Sequence, residues 1–362
     1  MPYWPANPYQ PLLVGGLQRL GLEVETGTPL ESIGRRRSRA TDRGDLVHLH
    51  WLPVASAEPR RLARWWLFAH RVGRLRQRGV PVVWTAHNVV PHESSLPALD
   101  FWMSRTIARQ ASRIICHSAG ARTELIERLR IEDQRKVRVI PHGHYIESYP
   151  NVLAPDACRT QLDLPPDATV LLSLGAIRPY KGVLDLVDAV RRLNSPTVRL
   201  LIAGKPHNDT IDAAIRKRAA GDARIRYTPG RVDDGVLQMY FNAADAVVFP
   251  YRKTLTSGAL ILAMSFGRAC IAPRLAGMAD CIDEQGGILY DADRNDGLFD
   301  AVSTAIGQRS TLAVMGATNL ARARAWDWNA IAADTADCYD EAVGRAATAP
   351  GTSVQSPQVG RI

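Results

Sequence analysis

Two cations stand in a short turn between an apolar run and a helix-like segment in TVLLSLGAIRPYKGVLDLVDAV, residues 169–190. Arg178 offers a planar fork of N–H groups to phosphate oxygens, and Lys181 offers a point charge. Gly175 ends the apolar run, where glycine lets the backbone turn and lets a ligand approach closely. A helix that begins near Gly182 directs its free amides to the same place. These residues predict a diphosphate site in which two cations replace magnesium, and the alternative is a solvated surface turn.

A second candidate for anion binding follows in FPYRKTLTSGALILAMSFG, residues 249–267, where a strand ends and an apolar helix begins. Thr256, Ser257 and Gly258 bring hydroxyls and amides to the helix start, although Ser and Thr are also ordinary N-cap residues. Both segments together favour a nucleotide-sugar diphosphate. Further candidates for contacts with the donor sugar or nucleotide are Gly175, His142, His144, Tyr251 and Lys253.

Strand-like and helix-like segments alternate along most of the chain, which predicts parallel α/β sheets with right-handed crossovers. The alternation stops in the proline-rich stretch 151–168, interpreted as a linker, and restarts at Thr169. Two such units facing one another would bind ligands at the carboxyl ends of their strands. We expect a first domain at 1–155, a second at 156–324 and a disordered low-complexity tail at 346–362.

The composition is that of a soluble globular chain, with 46% apolar and 22% charged residues over a length of 362 that suits two domains. No apolar run is long enough to cross a bilayer, and no signal-peptide pattern opens the chain. The five cysteines are odd in number and form no metal-binding spacing, which predicts reduced thiols in a cytoplasmic protein. We expect no metal and no other cofactor.

The net charge of +9 lies entirely in residues 1–150, which hold 22 Lys/Arg against 13 Asp/Glu. Such asymmetry favours an anionic partner for the first half of the chain. Seven arginines lie in the helix-like segment 58–79, where Leu62, Trp65, Ala69 and Val72 form an apolar stripe. Trp66, Leu67 and Phe68 fall partly outside that stripe. A basic helix with surplus aromatics suits the cytoplasmic face of an anionic membrane, and the alternative is a solvated face.

With these motifs the chain resembles a GT-B glycosyltransferase. The matching segments are NPYQPLL, DLVHLHW, PVVWTAHNVVPHE, HGHY, GAIRPYKGV and TSGALILAMS, between Asn7 and about Ser265. Within that class it is similar to the GDP-mannose-dependent β-mannosyltransferases that act on glycolipids in exopolysaccharide assembly. The resemblance implies a C-terminal helix, at 325–345, that returns to an acceptor-binding first domain, and a second domain that binds the nucleotide sugar. In this family the first strand is already running at the position of Met1. We therefore expect either that this strand is very short or that the true start of the protein lies upstream.

One departure from the pattern bears on stereochemistry. Retaining enzymes of this architecture carry two glutamates eight positions apart, and here those positions are Thr254 and Leu262. The loss of both glutamates argues for an inverting transfer, and the two cations of the turn predict that it needs no metal. The resemblance implies a polyprenyl-diphosphate-linked oligosaccharide as the acceptor. Inversion needs a general base for the acceptor hydroxyl, and HNVVPHESSLPALD (87–100) supplies candidates. Glu93 is our first candidate, ahead of Asp100 and His87; a solvated carboxylate and a core histidine are the alternatives for Glu93 and His87.

Acceptor contacts are predicted from the start of the chain and from the segment HLHW. Asn7 and Tyr9 lie in the first loop, and His50 shares a strand face with His48. Because no third ligand accompanies this histidine pair, we exclude a zinc site. Two other functions stay open: a glycosyltransferase that uses a UDP-sugar, and a basic nucleic-acid-binding protein. The latter lacks any recognised module and leaves both candidate phosphate sites unexplained.

Overall fold

The computed structural model describes residues 7–27, 45–91 and 94–344. The chain divides into two compact units, Met1–Gly143 with Ala325–Ile362, and His144–Arg324. The sequence placed the first boundary at residue 155, but residues 144–155 pack with the second unit. There the amide of Tyr145 donates to Ser265 Oγ at 2.9 Å, and the amide of Val152 donates to Gln238 Oε1 at 2.8 Å. The predicted tail at 346–362 lies outside the described residues.

The first unit contains a four-stranded parallel sheet in the order β1-β2-β3-β4. Its strands are β1 Val47–Leu49, β2 Val82–Thr85, β3 Arg113–Cys116 and β4 Val137–Val139. Its helices are α1 Tyr9–Arg19, α2 Pro59–Gln77, α3 Pro97–Gln110, α4 Ala119–Leu129 and, at the C-terminal end, α13 Trp328–Val343. All four strands were predicted, because each is a short β-rich run followed by a helix signal.

Helix α2 buries a different stripe from the predicted one. Trp65, Phe68, Val72 and Leu75 are buried, whereas Leu62 and Ala69 are only half-buried. The stripe is rotated because Phe68, predicted to lie partly outside, packs inward with Trp65 at helical spacing. Trp66 and Leu67 stay exposed, as expected from their place outside the stripe.

The return of the C-terminal helix to the first unit is confirmed by the contacts of α13. Glu341 pairs with Arg113 of β3 at 3.0 Å and also with Arg138 of β4. The hydroxyl of Tyr339 lies 2.6 Å from His48 Nδ1 of β1. On α1, a Cβ added at Gly16 would stand 2.6 Å from Ala332 Cβ, so a residue without a side chain lets α1 and α13 approach closely. Helix α13 therefore fastens both the sheet and α1.

The second unit contains a six-stranded parallel sheet in the order β10-β9-β8-β5-β6-β7. Its strands are β5 Thr169–Leu174, β6 Val198–Gly204, β7 Ile225–Pro229, β8 Ala246–Val248, β9 Ala269–Pro273 and β10 Gly287–Tyr290. Its helices are α5 Pro155–Gln161, α6 Val183–Arg192, α7 Asp209–Ala219, α8 Leu237–Ala243, α9 Gly258–Ser265, α10 Ala276–Ala279, α11 Gly297–Gly307 and α12 Arg309–Arg324. The strand order reverses between β5 and β8, and such a reversal leaves a crevice at the carboxyl ends of the strands.

Two elements of the second unit differ from the sequence prediction. Helix α5 lies inside the stretch interpreted as a linker, and it begins with Pro155 at a first-turn position that proline tolerates. Strand β10, Gly287–Tyr290, was missed because it is four residues long and only partly apolar. The class predicted from the sequence, α/β with two parallel-sheet units, is confirmed.

Candidate functional site

The two candidate anion-binding segments meet at the strand reversal of the second sheet. The cation turn (residues 178–182) follows β5, and the hydroxyl turn (residues 251–258) follows β8. The amide of Arg252 donates to the carbonyl of Tyr180 at 2.9 Å, which joins the two turns directly. Lys181 Nζ lies 5.4 Å from the centroid of the Tyr251 ring, a cation–π contact.

Glycines make this approach possible. Gly182 has φ +63°, and a Cβ there would stand 2.0 Å from the carbonyl oxygen of Pro250. Gly175 has φ +117°, a conformation that other residues rarely adopt. Any side chain at Gly182 would push the two turns apart, so its lack of a Cβ sets the geometry of the site.

An ion pair that the sequence analysis missed clamps the turns together. Arg252 reaches both carboxylate oxygens of Asp185 in the first turn of α6, with nitrogen–oxygen distances of 2.9 to 3.1 Å. A bidentate pair of this kind fixes direction as well as distance. The two residues are 67 positions apart, and no local pattern in the sequence links them.

The cations of the turn are half-buried. Arg178 donates to the carbonyl of Ile177 at 3.2 Å, and the pair of predicted cations flanks the first turn of α6. Lys253 of the hydroxyl turn is exposed, whereas Tyr251 is buried, and burial raises the pKa of the Tyr251 hydroxyl above its ordinary value. Tyr251 is therefore a neutral hydroxyl in the folded protein.

The hydroxyls of the second turn have distinct roles. Ser257 caps helix α9, since its Oγ accepts from the amide of Leu260 at 3.2 Å, and Gly258 is the first residue of that helix. Thr254 donates to the carbonyl of Thr256 at 2.9 Å. The Oγ1 of Thr256 is buried and has no hydrogen-bond partner in the described part of the chain. A buried hydroxyl without a partner is costly, which makes Thr256 a candidate ligand contact.

The two positions that hold glutamates in retaining enzymes carry no carboxylate. Thr254 turns its hydroxyl back onto its own loop, and Leu262 is a half-buried residue of α9. Neither side chain can carry the negative charge or accept the proton that a glutamate would.

A second cluster lies at the carboxyl ends of the strands in the first unit, and we call it the histidine edge. It consists of Tyr9, His50, His87, His117 and His142, all buried. The ring of Tyr9 lies in the middle, with centroid distances of 4.8 to 5.6 Å to the four imidazoles. Burial, the largest cause, lowers the pKa of all four imidazoles below the usual value of 6.5. The histidine edge is therefore uncharged at neutral pH.

Four of the predicted residues thus come together here: Tyr9, His50, His87 and His142. His50 Nδ1 lies 3.2 Å from His87 Nε2, and the ring of His87 stacks on Trp51 at 4.5 Å. Asn7 lies just before α1, and its Oδ1 accepts from the amide of Tyr9 at 3.0 Å.

The two histidines of HGHY were both predicted to reach the donor, but they separate. His142 lies in the first unit and belongs to the histidine edge, whereas the half-buried His144 is the first residue of the second unit. Between them a Cβ at Gly143 would stand 2.3 Å from an indole carbon of Trp328. The motif therefore includes a glycine that the return helix requires.

Two further histidines of the first unit, His48 and His117, are also buried. His48 bridges Tyr339 and Thr85 through its two ring nitrogens, at 2.6 and 2.7 Å. His117 joins the histidine edge and was missed by the sequence analysis. Its signal was weak: it follows β3 directly just as His50 follows β1, but it is the only histidine in the segment SRIICHS.

Asp100, one of the candidate bases, joins two elements of the first unit. Asp100 is buried, and its Oδ1 accepts from the amide of Ala55 at 2.7 Å and from the Trp65 indole at 3.3 Å. These bonds anchor the loop before α2 to α3. His92 and Glu93 lie outside the described residues.

Among the described residues, no group of three or more His, Cys, Asp or Glu side chains is arranged to hold a metal ion. No helix within residues 7–27, 45–91 and 94–344 has the length and apolar character that crossing a membrane requires. The five cysteines are all free, and four of them are buried.

Comparison with known families matches each half of the chain separately. Residues 168–308 match the model described as "Glycosyl transferases group 1", and residues 28–147 match "Glycosyltransferase Family 4". The first range contains both the cation turn and the hydroxyl turn.

Among curated relatives, the chain is 31% identical to a GDP-mannose:glycolipid 4-beta-D-mannosyltransferase of Xanthomonas campestris pv. campestris, over 74% of each chain. It is 27% identical to a D-inositol 3-phosphate glycosyltransferase of Nocardia farcinica, over 83% of this chain and 67% of that one.

Among solved structures, similar folds are found in sucrose-phosphate synthase from Thermosynechococcus elongatus and in HepE from Anabaena in complex with UDP. The first has a TM-score of 0.66 at 21% identity and covers 94% of this chain and 80% of that one. The second has a TM-score of 0.66 at 18% identity and covers 88% and 86%.

Proposed function

The chain belongs to the GT-B glycosyltransferases, and we propose that it transfers mannose from GDP-mannose to a lipid-linked oligosaccharide with inversion, in exopolysaccharide assembly. The observation that carries this proposal is the meeting of the cation turn and the hydroxyl turn at the strand reversal of the second sheet. The likeness to a mannosyltransferase that acts on a glycolipid supports the donor and the acceptor class.

In the proposed reaction, the second unit binds the donor diphosphate. Arg178 and Lys181 neutralise the charge that develops on the leaving GDP, while the amides at the start of α9 and the hydroxyl of Thr256 bind phosphate oxygens. Two fixed cations can supply the stabilisation that magnesium supplies elsewhere. Gly175 lets the donor approach the backbone closely, and Tyr251 and Lys253 contribute contacts with the nucleotide or the sugar.

Inversion is supported by the side chains at the two glutamate positions, Thr254 and Leu262, which lack a carboxylate. A single displacement then needs a base that removes the acceptor proton. We propose Glu93 for this role. Asp100 and His87 are the alternatives, but Asp100 already accepts two hydrogen bonds through Oδ1, and burial holds the pKa of His87 well below its usual value.

We propose that the first unit binds the polyprenyl-diphosphate-linked acceptor, with Tyr9 and His50 close to its sugar. The exposed surface of α2 and α3 suits the cytoplasmic face of an anionic membrane. Trp66 and Trp102 are 50% and 44% exposed with ring centroids 5.6 Å apart, and Leu67 is 41% exposed. Helix α2 carries six arginines and no acidic residue. Two exposed indoles, one of them on this arginine-rich helix, suit an anionic headgroup layer.

The donor is tested by incubating the enzyme with radiolabelled GDP-mannose, UDP-glucose or UDP-glucuronate and a polyprenyl-diphosphate oligosaccharide acceptor. We expect transfer from GDP-mannose only. Thermal shifts with GDP, UDP and single-stranded RNA give a control without turnover, and stabilisation by UDP but not GDP would replace the proposed donor. Stabilisation by RNA alone would contradict the enzyme proposal.

The stereochemistry is tested by the anomeric coupling of the product in NMR. A β-linked product from the α-linked donor is expected, and an α-linked product would overturn the single displacement. Glu93→Gln should keep GDP affinity and lose about 100-fold or more in turnover, because only proton transfer is removed. Normal turnover in that variant would move the role to Asp100 or His87.

The membrane surface is tested by sedimentation with vesicles of phosphatidylglycerol or of phosphatidylcholine. We expect binding to the anionic vesicles only, with weaker binding by Trp66→Ser/Trp102→Ser. Val314→Ser, which changes an exposed residue of the second unit, is the matched control. Equal sedimentation by all variants would place the membrane contact elsewhere.

A further inference from the structure

Each strand of the first sheet is followed closely by an imidazole. His50 and His117 come directly after β1 and β3, His87 comes two residues after β2, and His142 comes three residues after β4. The carboxyl ends of parallel strands are where α/β sheets bind their ligands. A ligand bound at this edge of the first unit would therefore meet four imidazole side chains.

The chemistry of this edge is uncharged and partly aromatic. Within the described residues, these imidazoles make ring contacts with Tyr9, Trp51, Trp328, His48 and one another, and burial keeps them neutral. Tyr9 packs against all four imidazoles, and the half-buried Trp51 stacks on His87 with the rings inclined by 12°. Neutral nitrogens beside aromatic rings suit hydroxyl groups on an apolar ring, which describes a sugar, and they suit a phosphate poorly.

The tautomer of His117 is fixed by a backbone carbonyl, as is that of His142, whose Nδ1 lies 2.8 Å from the carbonyl oxygen of Gly143. The Nδ1 of His117 lies 2.9 Å from the carbonyl oxygen of Ile140, and a carbonyl can only accept, so the proton sits on Nδ1. The Nε2 of the neutral ring then carries a lone pair. This nitrogen is buried and has no hydrogen-bond partner among residues 7–27, 45–91 and 94–344.

A buried acceptor with no donor costs free energy unless a ligand or water supplies one. His50 Nε2 is also buried without a partner in the same part of the chain. The tautomer of His50 is not fixed, because either ring nitrogen could be the donor in its contact with His87. His117 therefore combines a fixed tautomer with a buried Nε2 that has no partner among the described residues, and this nitrogen can only accept a hydrogen bond.

We propose that His117 Nε2 accepts a hydrogen bond from a sugar hydroxyl of the acceptor, which makes the histidine edge a binding site for an uncharged sugar ring. The inference rests on the proposed transfer to an oligosaccharide. The carbonyl of Ile140 orients the ring, the half-buried Trp51 provides apolar surface, and His117 adds a directional contact that selects one hydroxyl.

A matched pair of variants tests the role. In His117→Asn the amide nitrogen can still donate to Ile140, but no atom occupies the position of Nε2. In His117→Gln an amide oxygen can reach that position. We expect His117→Asn to raise the acceptor KM about tenfold with an unchanged Kd for GDP, and His117→Gln to stay closer to the wild type. An unchanged acceptor KM in His117→Asn, with the fold intact, would overturn the proposal.

A spectroscopic experiment separates this inference from the proposed reaction. In the full chain with ¹⁵N-labelled histidine, the Nε2 resonance of His117 should be that of an unprotonated nitrogen. It should shift on addition of octyl α-D-mannopyranoside or octyl β-D-glucopyranoside, and not with octyl tetra(ethylene glycol), which has the same chain without a sugar. A protonated Nε2, or no shift with either glycoside, overturns the inference whatever donor the enzyme uses. A shift in an enzyme that transfers no sugar would support it and reject the reaction alone.

Discussion

The two sheets present opposite chemistries at the same topological place. The carboxyl edge of the second sheet carries half-buried cations and hydroxyls, with Arg178, Lys181 and Thr256 at its reversal point. The carboxyl edge of the first carries buried imidazoles whose pKa values are lowered by burial. One edge suits an anion, and the other suits a neutral polyol.

The difference shows how burial decides what a basic side chain does. Arginine and lysine keep their charge when half-buried, whereas histidine loses its charge once it is fully desolvated. The same parallel-sheet scaffold can therefore hold a charged donor and an uncharged acceptor sugar through the choice of residue after each strand.

The largest expected effect comes from acid, which should disturb the histidine edge first. Burial lowers the pKa of His117 to about 4 and those of His48 and His142 to about 3, while the unfolded chain binds protons near pH 6.5. The contribution of these histidines to the free energy of unfolding is therefore fully present above pH 6.5. It falls as the pH drops toward 4, by on the order of 1 kcal/mol per pH unit for each histidine. Hydrogen exchange at pH 7, 5.5 and 4.5 should show β1–β4 losing protection before β5–β10. Earlier loss in the second sheet would break the contrast.

Removal of a cation should cripple turnover at the other edge. We expect Arg178→Ala and Lys181→Ala each to lower kcat about 100-fold or more, because the leaving diphosphate loses a fixed charge. Steady-state kinetics measures this, with Lys217→Ala on the exposed face of α7 as the control. Near-normal turnover of both variants would remove the cation turn from the mechanism. Full activity in excess EDTA is expected alongside, and an activity that magnesium restores would show that the cation pair is insufficient.

A methyl group at the end of the histidine edge should destabilise the first unit. The Cβ of Gly143→Ala would stand 2.3 to 2.6 Å from ring carbons of Trp328, so the indole or the backbone must move. We expect a loss of about 2 kcal/mol in the free energy of unfolding, measured by urea denaturation. The control is Gly15→Ala, whose nearest neighbour would be the Arg19 guanidinium at 3.5 Å. Equal stability of both variants would show that the contact with Trp328 is easily relaxed.

The smallest effect is expected from the ion pair between the turns. Asp185 and Arg252 are 43% and 65% exposed at their side chains, and exposed pairs are worth at most about 1 kcal/mol. Arg252→Ala should therefore raise the KM for the donor a few-fold and leave thermal stability nearly unchanged. The double change Asp185→Arg/Arg252→Asp should recover part of the loss. A hundredfold effect would promote Arg252 from a positioning residue to a direct phosphate contact.

Much of this architecture could be predicted because its signals are local. The cation turn lies at a strand end, where Gly175, Arg178 and Lys181 are within a few residues of one another. The β-rich runs of the sequence predict most of the strands. The Asp185–Arg252 pair escaped prediction because its members are 67 residues apart and come together only through the strand order. His117 escaped because a lone histidine after a strand has no distinctive spacing, and its meaning depends on three other strands. The stripe of α2 was misjudged because Phe68 and Ala69 both fit a helical period, and only packing decides between them.

The placement of α13 has a consequence for the order of synthesis. Residues 144–324 form the second unit from one continuous stretch, whereas the first unit needs Trp328–Val343 from far downstream. On the ribosome the N-terminal unit is made first but finished last, since the surface that receives Tyr339 and Glu341 waits until the second unit is complete. Any nascent chain stopped before residue 328 presents that apolar and charged surface to chaperones and proteases.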